Sequence, residues 1–564
     1  MSKLNPVLTL SLAALIFGCS KTDARRSDSP TGGTLIIAIP GDPIDLFPAF
    51  AGDQSGAAVR DLLFDRLALI GPDLGTFGDT GFTPQLAKSW TWSPDSMSIA
   101  FSIDPKARWH DGKSVTAADV KYSFRAFTDP KAASPVAPLL TNIDSVSVRD
   151  ASTAVFFFKK RMPEQFYDVA YQLYIVPEHV YGKVPFDSLR TSDVTRTPVG
   201  SGRFRFVKWT PDVQMELIAD TANYRGRPNL DHLFLTPPDP LTGATQILTG
   251  QADFMQAFPI DHISELDSSK VARGMAAPVS QYAFLGMNPY VAKSRREPHP
   301  IFGDVRVRRA LSMAVDRTGM LQNVFGGLGK IGHGPFPMGQ TASDSTIRLP
   351  SYDTAAAAAM LDSSGWKRGR DGMRSKNGRP LRFAMLVPFR SVPRMKYASL
   401  LQEQFHRIGA LATIEQVDTK TYLERSIPRD DRAGDFDTVL NAFGPDPSVS
   451  GVKQNWATAG IGGPAGQNFM LYSNKTVDAA IDSAVASFDP VKAKAYARRA
   501  FQQIADDVPA IWLYDVIYVA GVNRRLVVPP LRMDGWAINL ADWSIPVDKR
   551  IGRDSIGLAP PAKR

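Results

Sequence analysis

Between residues 280 and 515 short apolar strands alternate with amphipathic helices. A chain patterned this way has few ways to bury both: the strands gather into a sheet and the helices cover it, which predicts an α/β unit. Asp304 opens a helix running through Val315, and Asp353 opens an Ala-rich helix ending near Gly365. A strand at 383–387 follows, then a helix with Tyr397, Leu401, Phe405 and Ile408 on one face, then strands at 412–417 and 436–441. Helices at 477–488 and 491–505 lead into a strand at 511–519. Asp489-Pro490 is the start signal of the second of these, because proline fits the first helical turn.

The first half is strand-rich with long loops, which predicts a mixed unit. A buried strand at 35–39 lies between Gly32-Gly33 and Pro40-Gly41, and a helix is expected over 55–69. Met97, Ile99, Phe101 and Ile103 keep the two-residue period of a half-buried strand. Thr116 and Asp119 form a variant capping box, and Val120, Phe124 and Phe127 make the buried stripe of the helix it opens. Further strand-like runs stand at 154–158, 204–207, 233–235 and 283–287.

The 564 residues carry one cysteine, Cys19, so no disulfide can form within the chain. Cys19 ends the apolar stretch 6–17, which follows Lys3 and is too short to span a bilayer comfortably. Ile16-Phe17-Gly18-Cys19 resembles a bacterial lipobox, with Gly18 small beside the cut, so Cys19 is the expected lipidation site and 1–19 the signal peptide. Residues 20–31 are polar and aperiodic, a flexible tether. The net charge of +9 reads as a solvated basic surface, since its clusters carry no interleaved aromatics and match no nucleic-acid module.

No two of the seven histidines stand four apart, and a Cys-rich zinc site is impossible with one cysteine. No nucleophile elbow or Walker loop occurs. Gly327-Leu328-Gly329-Lys330-Ile331-Gly332 matches a dinucleotide fingerprint by letter, but a helix precedes it and His333-Gly334-Pro335 follows, so it reads as a loop. No catalytic residue, metal or cofactor is expected.

Nine segments occur in a familiar order. They include GGTLIIAIPGDPIDLFPAF (32–50), the run 86–124 with its WSPD turn, WHDG and TAADV, TPVGSGRFRFVKW (197–209), ANYRGRPNLDHLFL (222–235) and GQADF (250–254). FLGMN (284–288), FGDVRVRRALSMAVDR (302–317), YDTAAAAAMLDSSGW (352–366) and DDVPAIWLYD (506–515) complete them. From Gly32 onward the chain thereby resembles the extracellular solute-binding proteins of family 5, the peptide, dipeptide and nickel receptors of ABC importers. Trp109-His110-Asp111-Gly112 is read as a fold-determining turn, and Arg306, Arg308, Arg309 and Arg317 as a charged helix face rather than ligands.

The resemblance implies an α/β, two-lobed periplasmic-binding-protein flytrap with an additional domain inserted in the first lobe. Lobe I would take 32–64, 197–280 and 516–564, the inserted domain 65–196 and lobe II 281–515. It implies an oligopeptide or peptide-like solute bound between the lobes and delivered to an ABC permease in the inner membrane, by a monomer held on the membrane through its lipid. Peptide receptors of this kind anchor a peptide ammonium on an Asp that follows a Trp shortly before an Asp-Pro pair. Asp446-Pro447 matches the pair, and the anchor position falls near Phe443, which cannot neutralise an ammonium but offers a cation–π face. A nickel chelate or other non-peptide solute therefore stands as the alternative ligand, and a periplasmic hydrolase as the alternative of another class. The expected ligand-binding residues are Asn441, Phe443, Gly444, Asp446, Trp456 and Asn468, with Arg390 facing a ligand carboxylate.

Overall fold

A computed structural model describes residues 29–555 except 51, 327, 339, 341, 390, 429–432 and 463–466. Cys19 and Arg390 therefore lie outside the described residues. Among the described residues no helix is long and apolar enough to cross a membrane.

Most strands join one 11-stranded sheet. From one edge the order is Leu411–Val417, Arg382–Pro388, Thr438–Phe443, Ala272–Met287, Ala510–Asn523, Phe254–Met255, Thr34–Ala38, His232–Thr236, Gln214–Ala219 and Phe204–Thr210, with Lys330–Ile331 added beside Ala510–Asn523. The first three of these run parallel to one another, as strand–helix–strand crossovers require. Gln214–Ala219 and Phe204–Thr210 form an antiparallel hairpin. A separate four-stranded antiparallel sheet holds Ala87–Trp92, Ser98–Ile103, Thr153–Phe158 and Ile143–Asp150.

Two strands run through both halves of the molecule. Ala272–Met287 pairs antiparallel with Ala510–Asn523 over its whole length, with register shifts between Pro278 and Tyr282 and again between Ala283 and Phe284. Its end from Tyr282 to Met287 also pairs with Thr438–Phe443. Apolar packing divides accordingly. One core gathers Leu35, Phe101, Phe166 and Trp543 with the four-stranded sheet. Two others lie on opposite sides of the second half, around Leu401 and Phe405 and around Trp456 and Phe501. The result is a two-lobed α/β molecule with an inserted domain.

Local readings meet the structure with instructive differences. Thr116 and Asp119 form the capping box of helix Ala117–Thr128, and the Asp119 carboxylate also accepts from Trp109 Nε1 at 3.3 Å. Asp304, Asp353 and Asp489 each cap their helices with the side chain. The helix expected over 55–69 ends at Leu63 (Gln54–Leu63), because Phe64 is extended and Asp65 is drawn into a buried pair with Arg225 and a hydrogen bond from Tyr224. Arg308 and Arg317 do not form a solvated charged face. Arg308 donates to the carbonyls of Phe302, Asp507 and Val508, fastening its helix to the end of helix Pro490–Asp507, and the nearly buried Arg317 donates to that of Trp512 in strand Ala510–Asn523. Lys330 and Ile331 of the glycine-rich stretch pair with Asp515 and Tyr514 as a short strand.

Candidate ligand cleft

Strand Thr438–Phe443 ends in the segment Gly444-Pro445-Asp446-Pro447, after which Ser448 caps helix Val449–Trp456 by accepting from Ser450 N. Ligands of open α/β sheets gather beyond strand ends such as this one. The segment sits tightly. A Cβ on Gly444 would stand 3.1 Å from Ser280 O, and one on Gly451 would stand 2.8 Å from Cβ, N and O of Asp446. The missing side chain at 451 thus lets the helix start press against Asp446.

Facing this segment is a cavity of about 490 Å³. One wall is Gly444 to Pro447 with Gln454, Asn455 and Gln467, and the neighbouring Ser280 and Gln281. The opposite wall is helix Gln54–Leu63, Arg66, the tyrosines 167, 171 and 174, and the turn 533–537. Segments far apart in the chain therefore line one cleft.

The cleft is charged unevenly. Arg66 is buried with its guanidinium over the rings of Tyr171 and Tyr174, 4.1 and 3.9 Å from their centroids, and is paired to Asp61 at 3.3 Å. Arg60 also lies over the ring of Tyr174, 4.6 Å from its centroid. Tyr171 donates to Asp534 at 2.7 Å, and Arg532 pairs with the same carboxylate. At the other end Asp446 meets only neutral donors: Tyr167 Oη at 2.7 Å, Ser448 N at 2.9 Å and Gln172 Nε2. Burial raises its pKa above the ordinary carboxylate value. Asn455, one helical turn beyond Gly451, is buried with its Oδ1 unpartnered and lines the same space.

The residues expected from sequence divide into two groups. Gly444 and Asp446 line the cavity. Phe443 is buried behind it, within 4.8 to 6.2 Å of the rings of Phe284, Phe469, Trp456 and Tyr282. Trp456 is fully buried and donates from Nε1 to Tyr282 Oη at 2.7 Å. Asn468 binds the carbonyls of Ala457 and Tyr472 and accepts from Tyr472 N, which fixes the chain after the helix. Asn441 Oδ1 accepts from Ala442 N at 2.8 Å. The tyrosines of the opposite wall were not anticipated. Their spacing at 167, 171 and 174 is that of one helical face, a signal present in the sequence although the helix itself stops at Ala170. His110 is structural: its Nε2 meets Gly202 O at 2.9 Å and its Nδ1 accepts from Gly200 N.

The strand order, the two connecting strands and the shared cleft define the class: a two-lobed solute-binding protein. Comparison with known proteins makes it specific. Residues 81–463, more than half of the chain, match the family model described as bacterial extracellular solute-binding proteins, family 5 middle, and the chain belongs to that family. Members of this family are binding proteins that serve transporters. The oligopeptide-binding protein AppA of Bacillus subtilis is 23% identical over 525 residues, 89% of this chain and 91% of that protein. Its structure in complex with a nonapeptide superposes with a TM-score of 0.79 at 22% identity, covering 91% of this chain and 99% of that one. NikZ of Campylobacter jejuni, in complex with Ni(L-His), superposes with a TM-score of 0.78 at 23% identity over 91% and 99%.

Proposed function

We propose that this protein is the solute receptor of an ABC importer, binding an oligopeptide or peptide-like solute between its lobes and presenting the closed form to a permease, without changing a bond in the ligand. The observation that carries this reading is the single cleft lined from both lobes at the end of strand Thr438–Phe443. A ligand touching both walls binds the closed form better and so shifts the lobes toward it. In this reading Gly444, Asp446 and Asn455 contact the solute, while Asn441, Phe443, Trp456 and Asn468 hold the wall behind it. Lobe I would comprise 32–64, 197–280 and 516–564, the inserted domain 65–196 and lobe II 281–515. Cys19 would carry the lipid that keeps the receptor at the membrane.

The likeness to NikZ supports a second reading, a metal chelate held by its organic ligand. Native mass spectrometry of the purified protein decides between them. An intact peptide released on denaturation supports the first, a nickel-containing complex the second, and accumulating cleavage products of added peptides would overturn both in favour of a hydrolase. For the anchor, Cys19→Ala should move the protein from the detergent phase to the aqueous phase on partitioning, and equal partition of both forms would remove the lipid.

A further inference from the structure

The lobes also touch directly, beside the cavity. Glu164 stands immediately before helix Gln165–Ala170 of the inserted region. Its Oε1 accepts from Thr76 Oγ1 at 2.6 Å, and its Oε2 from Ser450 Oγ of the second lobe at 3.4 Å. Tyr167 and Gln172, one on that helix and one just past its end, donate across the cleft to Asp446. Residues 164–172 and 446–450 thus form one polar bridge between lobes.

The bridge is unusual in its charges. Glu164 and Asp446 are brought together with Asp168, and among the described residues none of the three is paired to a lysine, arginine or histidine. They do not gather as a metal-holding group. The ionisable groups facing them are Tyr167 on the same helix and Tyr171 just past its end, with Arg66, Asp61 and Asp534 beyond Tyr171 and already engaged there. From the 71–79 loop comes only the neutral hydroxyl of Thr76. Two other lobe contacts, Arg161 stacked 4.7 Å over Phe488 and the Lys396–Asp261 ion pair, involve no such crowding of like charge.

We propose that this bridge is a proton-dependent latch, in which the closed lobes hold a proton on the Glu164–Asp446 pair and its loss drives them apart. The latch presupposes lobes that open and close about a solute, the reading given above. Two like charges cannot both ionise at close range out of water without cost. Burial, then the nearby Asp446 carboxylate, pushes Glu164 up to about 7, and Asp168 and Asp446 are raised in the same sense. Opening carries Asp446 and Ser450 away and returns these carboxylates to water, where a glutamate titrates near 4.5. The sign follows. Between those two values the closed form holds a proton that the open form lacks, so closure strengthens as pH falls from about 7 toward 4.5. Above 7 that stabilisation is gone.

The test needs no ligand. Pyrene labels on Lys160→Cys and Lys492→Cys of the full chain flank the contact between Arg161 and Phe488 and report closure through excimer emission. In ligand-free protein the closure constant should rise on the order of fifty-fold between pH 7.5 and pH 5. Glu164→Gln should abolish that rise, and Asp446→Asn should move its midpoint to lower pH from the other lobe, deciding the question if the first variant fails to fold. Tyr167→Phe should reduce closure at every pH while leaving the midpoint in place. A flat response in the unsubstituted chain, or an unchanged transition in both carboxylate variants, overturns the latch. A solute recovered from protein with a flat response would leave the receptor reading standing and sink only the latch. A pH-dependent closure with no solute ever recovered would do the reverse.

Discussion

Trp456 and Asp446 show what a residue's letter does and does not carry. Both were expected at the ligand, and both lie within the same short segment, yet one faces the cavity and the other fills the core. Large-to-small truncation of such a buried aromatic costs about 3–5 kcal/mol. Trp456→Ala should therefore lower the thermal midpoint by many degrees, whereas Asp446→Asn should leave it nearly unchanged and weaken solute binding. Calorimetric unfolding of the two variants side by side checks this, and equal midpoints would place Trp456 outside the core. Gly451 is the more delicate position. Its Cβ would meet Asp446 at 2.8 Å, so Gly451→Ala must displace the 446–447 turn. The expected outcome is a loss of solute affinity of tenfold or more with the far-ultraviolet spectrum intact, and unaltered affinity would show that the turn is not a contact.

Elements were readable where local chemistry decides them. Asp489 before Pro490 marks the start of helix Pro490–Asp507 and accepts from Val491 N and Lys492 N. Replacing such a cap by alanine costs about 1 kcal/mol. Asp489→Ala should lower the urea midpoint without changing the slope, and a change in slope would mean the helix had been lost rather than loosened. Strand Ala272–Met287 was legible only from 283 onward. Gly274, Pro278 and Ser280 interrupt any two-residue pattern in its first half, and its sixteen residues are held straight by pairing with Ala510–Asn523 rather than by propensity. The Arg308 and Arg317 staples were misread for a similar reason. A charge on a helix face is usually solvated, and only tertiary packing brings up the carbonyls a buried guanidinium needs, from the end of helix Pro490–Asp507 for Arg308 and from strand Ala510–Asn523 for Arg317.

At the scale of the molecule, pH acts through groups that different regions bury. The His110 ring, enclosed where the inserted region meets residues 200–202, is pushed down to about 4 by burial. An unfolded histidine takes its proton near 6.5, so this contribution to stability is whole above 6.5 and is lost as pH falls toward 4. Its size is about 3 kcal/mol. Glu164 works in the opposite sense over an overlapping range, so the two contributions partly offset. His110→Gln should flatten the acid limb of stability against pH between 6.5 and 4 in urea titrations, and an identical limb would show that other groups govern acid unfolding.

Strand and helix alternation, caps and ordered motifs determined the α/β class, the family and the stretch of chain that reaches the cleft, because each rests on neighbours in sequence or on a pattern that survives without coordinates. Which side chains face the cavity was decided by tertiary structure alone. Helix Gln165–Ala170 and the 446–450 turn are nearly three hundred residues apart, and the carboxylates at their meeting point have raised pKa values chiefly because packing buries them.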